Sequence, residues 1–265
     1  MNSKSVVQIK KIRMYKIAII GYGNLGFHLV NHLSEAGHII TQVFTRDKSK
    51  TRISKYKIDF IDDLNLLNSD ADVYFIPVKD DALNEVARLL SLRGKIVAHC
   101  SASVEMTVLK NSTENFGVFY PLQTFSREVE VDFKNIPILI EGVNKKTISV
   151  LKEIASSLSD EVIEVNQQQR LAVHVAAVFA NNFSNYLFSV AEEILKKENI
   201  SYKILLPLIE ETVRKVKEHA PSKSQTGPAK REDDKTIQKH LKFLSNKKEL
   251  KNLYSIITEQ IKSKK

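Results

Sequence analysis

The chain has 265 residues, of which 40 are Lys or Arg and 31 are Asp or Glu, so its formal net charge is +9. A hydrophobic fraction of 43% is ordinary for a globular protein and excludes a wholly disordered chain. The single cysteine, Cys100, excludes an internal disulfide and a cysteine-rich zinc site. No apolar run reaches the roughly 18 residues of a transmembrane helix. We therefore expect a cytoplasmic protein with no membrane span and no metal site.

The excess positive charge lies at the two ends of the sequence. Residues 1–16 carry five cations and no acid, and residues 235–265 carry nine lysines against Glu249 and Glu259. The residues between them carry a net charge of −3, which does not fit the basic face of a nucleic-acid-binding protein. We expect no nucleic-acid partner and a solvated lysine face near the C-terminus. We interpret residues 1–13 as a dispensable extension, with an organelle-targeting segment as the alternative.

The first half of the chain alternates short apolar runs with helical patterns. This order predicts an α/β domain with a doubly wound parallel sheet over residues 14–165. The pattern predicts strands at residues 15–20, 38–44, 72–76, 95–99, 136–140 and 162–165. It predicts helices at residues 24–36, 80–90 and about 145–158.

The pattern changes after residue 165 and predicts an all-helical domain over residues 166–265. Residues 167–197 contain no helix breaker and predict one long helix. The pattern predicts further helices at residues 202–219, 233–244 and 248–262, and a loop at residues 220–229. The length of the uninterrupted helix favours a homodimer.

A glycine loop follows the first strand directly and opens the first helix. Its sequence has the spacing G-x-G-x-x-G, in the strand-to-helix context that a dinucleotide-binding loop requires. The first glycine allows a tight turn, the second lets a pyrophosphate approach the backbone, and the third lets the helix pack on the sheet. The free N–H groups at the start of the helix favour phosphate. The predicted cofactor-binding residues here are Gly21, Tyr22, Gly23, Asn24, Leu25 and Gly26.

The end of the second strand indicates which dinucleotide is bound. Enzymes that use NAD usually place an acidic residue there to bind the ribose 2′-hydroxyl. This chain has Thr45 and Arg46 instead, followed one position late by Asp47. The Arg46 guanidinium suits a 2′-phosphate, with Thr45 donating a hydrogen bond. The pattern favours NADP over NAD, and an ordinary surface arginine is the alternative.

Two further strand ends should line the cleft, because ligands of open α/β sheets bind outside the carboxyl ends of the strands. Pro77 and Val78 follow one strand and are predicted to contact the cofactor. Ser101 and Ser103 follow the next strand and suit a nicotinamide amide or a substrate carboxylate. Ser103 is equally suited to capping a helix, as is Asp80.

Two neighbouring features are assigned structural roles. Cys100 has no base or cation beside it in sequence, so we interpret it as a packing residue rather than a nucleophile. Residues 119–125 are predicted to form an apolar loop that walls the cleft.

Four polar residues interrupt the apolar stretch of residues 170–185. On an α-helix with about 100° per residue, Arg170, Asn181 and Asn185 lie within about 40° of His174. The surrounding residues predict a buried helix, and buried polar groups need partners. We interpret His174 as an acid/base, Asn181 as a second catalytic residue, and Arg170 and Asn185 as substrate-binding residues. Partners within the protein are the alternative.

A second polar cluster begins at Gln225 and Thr226, before Gly227. A helix is predicted to follow, so these residues are predicted to bind an anionic substrate group near its start. A surface loop between helices is the alternative.

With these residues identified, the chain resembles bacterial oxidoreductases that pair a Rossmann-type NADP-binding domain with a C-terminal domain of unknown function. Relatives in the wider group are pyrroline-5-carboxylate reductase and ketopantoate reductase, which share a 6-phosphogluconate-dehydrogenase-like helical domain. Ala102 departs from the pattern, which has glycine there. The motifs that carry the resemblance are GYGNLG (21–26), PVKDDAL (77–83), HCSAS (99–103), FYPLQTFS (119–126), HVAAVFANNF (174–183) and QTGPAKRED (225–233).

The resemblance implies NADP-dependent reduction of a small substrate. The expected substrate carries a carbonyl or an imine, with a 2-oxo acid such as ketopantoate as one candidate. A non-catalytic dinucleotide-binding sensor or regulatory protein is the alternative from a different class.

Overall fold

The computed structural model describes residues 13–47, 49 and 56–264. The interpretation of residues 1–13 as an extension falls, except for Arg13, outside the described residues. The chain forms two compact units, of which the first ends at Phe183 and the second begins at Ser184. The predicted division between residues 165 and 166 stays a prediction, and the compact units divide further along the chain.

The first unit is built on one sheet. In the part of the chain that the structure describes, eight strands follow the order β3-β2-β1-β4-β5-β6-β7-β8. Neighbouring strands are parallel except β6 and β7, which are antiparallel. The strands are β1 (Lys16–Ile20), β2 (Ile39–Phe44), β3 (Asp59–Ile61), β4 (Val73–Ile76), β5 (Ile96–His99), β6 (Asn115–Pro121), β7 (Ile138–Gly142) and β8 (Val162–Glu164).

Helices cover both faces of this sheet, so the predicted α/β fold class is confirmed. Successive strand residues face opposite sides: Ile17 and Ile19 pack with α1 and α3, whereas Ala18 and Ile20 pack with α2. The helices of this unit are α1 (Asn24–Glu35), α2 (Asp80–Leu89), α3 (Lys145–Leu158) and α4 (Gln167–Ala177).

The second unit is helical. A 3₁₀ turn (Tyr202–Leu205) precedes its second helix, and a short helix lies within the predicted loop 220–229. The helices are α5 (Ser184–Lys197), α6 (Leu206–Glu218), α7 (Pro221–Ser224), α8 (Asp234–Phe243) and α9 (Lys248–Ser263).

Two strands of the sheet, β3 and β6, were not predicted. Residues 119–121, predicted as loop, belong to β6, so that part of the prediction is wrong. Gly117 and Pro121 make this segment look unlike a strand in sequence. The strand nevertheless needs the glycine, because a Cβ at Gly117 would overlap the carbonyl oxygen of Glu141 on β7.

The long predicted helix is interrupted by a π-helical segment, Val178–Phe183, between α4 and α5. A π-helix bonds residue i to i+5, so the residues beyond it no longer follow the α-helical wheel. The prediction that Asn181 and Asn185 align with His174 is therefore wrong. The predicted burial is also wrong within the single chain, since Phe179 is 65% exposed. Apolar composition indicates a helix face that favours burial, but it does not show that the same chain buries it.

Candidate functional site

The glycine loop has the geometry of a phosphate-binding turn. Gly21 has a φ of +120°, a backbone conformation that residues other than glycine rarely adopt. A Cβ on Gly26 would collide with the Gly21 carbonyl oxygen, whereas Gly23 faces open space. Gly23 is also the N-cap of α1 and provides no side-chain cap. The first N–H groups of the 12-residue helix α1 are therefore left without a capping side chain, as a bound phosphate requires.

A cavity of about 650 Å³ opens beside this loop. Its size suits a nucleotide-sized ligand. Seven of the eleven predicted cofactor residues line it, and the predicted residues Asn24, Leu25, Gly26 and Ser101 do not. The predicted residues that line the cavity are Gly21, Tyr22, Gly23, Thr45, Arg46, Pro77 and Val78.

The charged rim of this cavity contains two exposed cations, Arg46 and Lys79. Thr45 is 6% exposed, and its hydroxyl oxygen accepts a hydrogen bond from the Asp47 N–H at 3.2 Å. That bond shapes the turn that presents Arg46. The sequence reasoning missed Lys79, although it directly follows the predicted residues Pro77 and Val78. Donors of this kind fit the ribose phosphate of NADP.

The segment of residues 125–127 is fixed to the start of α1. The Asn24 amide donates to the carbonyl oxygen of Phe125 at 2.8 Å. His28 Nε2 lies 2.8 Å from the carbonyl oxygen of Ser126. Arg127 donates to the carbonyl oxygen of Tyr22 and lies over its ring. Asn24 thus has a structural partner, which differs from its predicted contact with the cofactor.

The sheet register places three polar side chains on one face near the strand ends. His99 pairs with Val118, and Val118 pairs with Glu141. Tyr120 follows Val118 by two positions, so its side chain faces the same way. Helix α4 contacts this row at Glu141 and at Tyr120. Its two contact residues, Arg170 and His174, are four positions apart on one face of the helix.

Arg170 is fully buried, and all of its recorded contacts are with the protein. It forms an ion pair with Glu141, and it donates to the carbonyl oxygens of Ala102 at 3.1 Å and Val104 at 2.6 Å. The side chain is 0% exposed. These contacts tie α4 to β7 and to the turn after β5, and the substrate-binding role of Arg170 stays a prediction.

His174 is half-buried, and its Nδ1 lies 3.2 Å from the hydroxyl oxygen of Tyr120. Burial, with a smaller contribution from Asp80, raises the pKa of Tyr120. The phenol therefore keeps its proton at neutral pH. The sequence reasoning missed Tyr120 as a site residue, because the only available signal was its place in the motif 119–126.

The turn after β5 holds the two predicted serines in a local network. The Ser101 hydroxyl oxygen accepts from the N–H of Val104 at 3.0 Å, and Ser101 is 5% exposed. The exposed Ser103 hydroxyl donates to the Asp80 carboxylate at 2.5 Å, so it does not cap a helix. Asp80 is the first residue of α2 rather than its N-cap, which is Lys79. The Asp80 charge thus lies at the same edge of the sheet as Tyr120.

Two buried titratable groups lie in this region. Burial, with a contribution from the Arg170 charge, lowers the pKa of His99 to about 4, so the imidazole is neutral at pH 7. Its Nδ1 accepts from the Ser101 N–H at 3.1 Å. Burial raises the pKa of the Cys100 thiol, which keeps it protonated, as a packing residue should be.

The remaining predicted site residues are not brought together by the described contacts. Asn181 is exposed in the π-helical segment, and Asn185 is exposed in the second unit. Gln225 donates to the carbonyl oxygen of Thr226 at 2.9 Å, and both residues are exposed. The start of α8 is already capped by the Asp233 carboxylate, which disfavours the predicted anion there. The functional roles of these four predicted residues stay predictions.

Metal-binding clusters and membrane-spanning helices are absent from the described ranges, 13–47, 49 and 56–264. No group of three or more His, Cys, Asp or Glu side chains there could hold a metal ion. No helix there has the length and apolarity to cross a membrane.

Comparisons with known proteins identify relatives of this chain. A family model described as "NADP oxidoreductase coenzyme F420-dependent" matches residues 16–103. A second model, "Domain of unknown function (DUF2520)", matches residues 136–261. No curated protein matches the chain.

Solved structures cover nearly the whole chain. The "putative NADP oxidoreductase BF3122" from Bacteroides fragilis is 38% identical, with 94% of this chain and 98% of that chain covered and a TM-score of 0.86. Protein TM1727 from Thermotoga maritima is 22% identical, with 94% and 97% covered and a TM-score of 0.73. An imine reductase from Myxococcus stipitatus in complex with NADP+ shares the fold at 17% identity, with 94% and 92% covered and a TM-score of 0.60. The chain belongs to the NADP oxidoreductase family in which a coenzyme F420-dependent-type domain is followed by a DUF2520 domain.

Proposed function

We propose that this oxidoreductase uses NADPH to reduce a small molecule at a C=N or C=O bond. The observation that carries the proposal is the pairing of His174 with Tyr120 at the carboxyl edge of the sheet. That edge also carries the glycine loop and the cavity lined by Arg46. The cofactor-binding part and the proton-donating part of the proposed active site thus come from one α/β unit.

The cofactor half is assigned by its donors. The uncapped start of α1 and the open space at Gly23 receive the pyrophosphate. Arg46 and Lys79 attract the ribose 2′-phosphate. Bound NADPH supplies the hydride that adds to the carbon of the double bond. The accompanying proton reaches the nitrogen or oxygen of that bond from a water that His174 holds, and solvent replaces it, leaving an amine or an alcohol.

The structure favours an imine over a 2-oxo acid as the substrate. The 2-oxo-acid hypothesis, with ketopantoate as its candidate, relied on Arg170 to bind the carboxylate. Arg170 is engaged by Glu141 and by two carbonyl oxygens, whereas the Asp80 carboxylate lies beside Ser103 at the exposed edge. A negative charge at that edge stabilises a protonated imine and repels a carboxylate. Imines are also the substrates named for several structures of this fold.

Turnover with a substrate panel tests the proposal. The loss of NADPH absorbance should be measured with cyclic imines and with 2-oxo acids. We expect turnover of at least one imine, and loss of turnover in His174→Ala with the affinity for NADPH unchanged. NADPH binding without turnover of any imine or carbonyl compound would instead support the non-catalytic sensor.

The choice of cofactor is tested separately. Arg46→Ala should weaken NADPH binding by roughly 10-fold or more, because it removes a charge-assisted hydrogen bond worth about 1.5–3 kcal/mol. NADH binding should change little. Arg93→Ala is the matched control, since Arg93 is exposed and does not line the cavity. Equal losses for NADPH and NADH would contradict the assignment of Arg46 to the 2′-phosphate.

A further inference from the structure

We propose that Tyr120 is a positioning residue that holds neutral His174 in a single tautomer, with the proton on Nε2 and that N–H as a hydrogen-bond donor to the reacting group. The observation is the 3.2 Å contact between the Tyr120 hydroxyl oxygen and His174 Nδ1. The catalytic consequence rests on the proposed function. The tautomer itself does not, so the two are tested by different measurements.

We assign the hydroxyl group as the donor in this contact. The Tyr120 side chain is half-buried on the face of β6 that α4 contacts, and the Asp80 charge lies within electrostatic range. Both effects disfavour the phenolate, so the hydroxyl carries its proton and needs an acceptor. The two rings are nearly perpendicular, with an interplanar angle of 81° and a centroid separation of 6.1 Å. They do not stack, and the contact between them is the hydrogen bond.

A neutral imidazole has one N–H donor and one acceptor nitrogen. Because Nδ1 accepts from Tyr120, the proton lies on Nε2. The hydrogen bond made by one ring nitrogen thus decides which form the other takes. His174 then presents an N–H at the end of the ring farther from its own backbone.

The backbone of α4 keeps His174 at this position. One turn before His174, the buried Arg170 is bound to Glu141 and to the carbonyl oxygens after β5. The helix begins with a capping box in which Asn166 and Gln169 bond to each other's backbone N–H groups. The ring is therefore fixed through its helix on one side and through Tyr120 on the other.

The chain contains a matched control pair in its second unit. Tyr254 and His240 are joined by a hydroxyl-to-Nδ1 contact of 2.7 Å, with an interplanar angle of 85°. The same ring types meet in the same orientation, but we assign no catalytic role to this pair. Tyr254→Phe therefore removes an equivalent hydroxyl group elsewhere in the protein.

The decisive measurement is the ¹⁵N NMR spectrum of the histidine side chains in the full-length protein, at a pH where imidazole is neutral. For the wild type we expect His174 with its proton on Nε2. For Tyr120→Phe we expect a mixture of tautomers at His174 and an unchanged signal from His240. For Tyr254→Phe we expect a mixture of tautomers at His240 and an unchanged signal from His174. His174 with its proton on Nδ1 in the wild type overturns the proposal, as does an unchanged His174 in Tyr120→Phe.

Kinetics then test the positioning role. In metal sites, the hydrogen-bond partners that orient a histidine change affinity or activity by roughly 10- to 100-fold, and we expect an effect of the same order here. We expect Tyr120→Phe to lower kcat by that factor with the NADPH Kd unchanged, and Tyr254→Phe to leave kcat unchanged. A Tyr120→Phe enzyme with wild-type kcat overturns the role in catalysis. If no substrate is turned over by the wild type, the proposed function fails, and the wild-type NMR spectrum still decides the tautomer. That spectrum also decides it if Tyr120→Phe does not fold.

Discussion

Replacing Arg170 by methionine separates the structural role of this residue from the substrate-binding role expected from the sequence. Methionine has a similar length and no charge, so it removes the donors while filling much of the space. The substitution leaves the Glu141 carboxylate and the carbonyl oxygens of Ala102 and Val104 without their donors. We therefore expect a loss of stability, with a secondary effect on activity through α4.

The size of the loss follows from burial. The side chains of the ion pair are 0% and 12% exposed for Arg170 and Glu141, so solvent cannot replace the lost partner. Breaking a buried pair by removing one member costs about 3–5 kcal/mol. For a unit of this size, 1 kcal/mol shifts Tm by about 2–4 °C. The expected decrease in Tm is therefore about 6–20 °C.

Thermal unfolding monitored by circular dichroism measures this loss. The matched control is Arg214→Met in α6, where a 55% exposed arginine pairs with Glu211 and Glu218. Exposed pairs contribute little because solvent replaces the lost partner, so this variant should unfold close to the wild type. Adding Glu141→Met to Arg170→Met should recover part of the loss, because the unpaired carboxylate is then absent.

The opposite result would refute the reasoning. If Arg170→Met unfolds at the wild-type temperature while the KM of a carboxylate-bearing substrate rises, Arg170 binds substrate, and the contacts described here do not support the fold. If both arginine variants lose the same stability, burial does not decide the contribution of the pair.

Three further predictions concern other parts of the protein. Gly26→Ala should lower the unfolding free energy by about 3 kcal/mol or more, because its Cβ meets a backbone carbonyl that cannot move aside. Gly23→Ala should preserve stability and weaken NADPH binding in calorimetry. Equal stability of the two variants would contradict this prediction. The pKa of His99 is lowered to about 4, so its contribution to stability is complete above the unfolded value of about 6.5. That contribution should fall by up to about 3 kcal/mol as the pH drops towards 4; denaturation at several pH values should show this slope in the wild type and a flatter one in His99→Asn. Asn144 accepts from the N–H of Thr147 at 2.9 Å as the N-cap of α3, so Asn144→Ala should cost about 1 kcal/mol in urea unfolding, and no change would show that the cap is dispensable.

The sequence was sufficient to predict the elements whose signals are local. The strand-to-helix context of the glycine loop and the apolar runs of β1, β2, β4 and β5 predicted the core of the sheet. Arg46 was predicted from its position after β2, and it lines the cavity. These features depend on a few consecutive residues, so a single sequence contains them.

The parts that failed depend on contacts between distant residues. The pairing of Val118 with Glu141, which brings Glu141 and Tyr120 to α4, is a matter of strand register that no local pattern specifies. Without it, Arg170 looked like a free cation and Tyr120 like a residue in a loop. The helical wheel correctly grouped Arg170 with His174, since both lie in α4. It failed for Asn181, because it assumed regular α-helix through the π-helical segment.

The close packing of the glycine loop against the turn after β4 has a consequence for enzyme engineering. Val78 and the carbonyl oxygen of Pro77 occupy the space that a Cβ on Gly21 would need, and the Pro77 ring lies against Gly26. A redesign of cofactor preference that transplants only one of the two loops would leave a mismatched surface between them. The two loops therefore form one unit, and they should be grafted together.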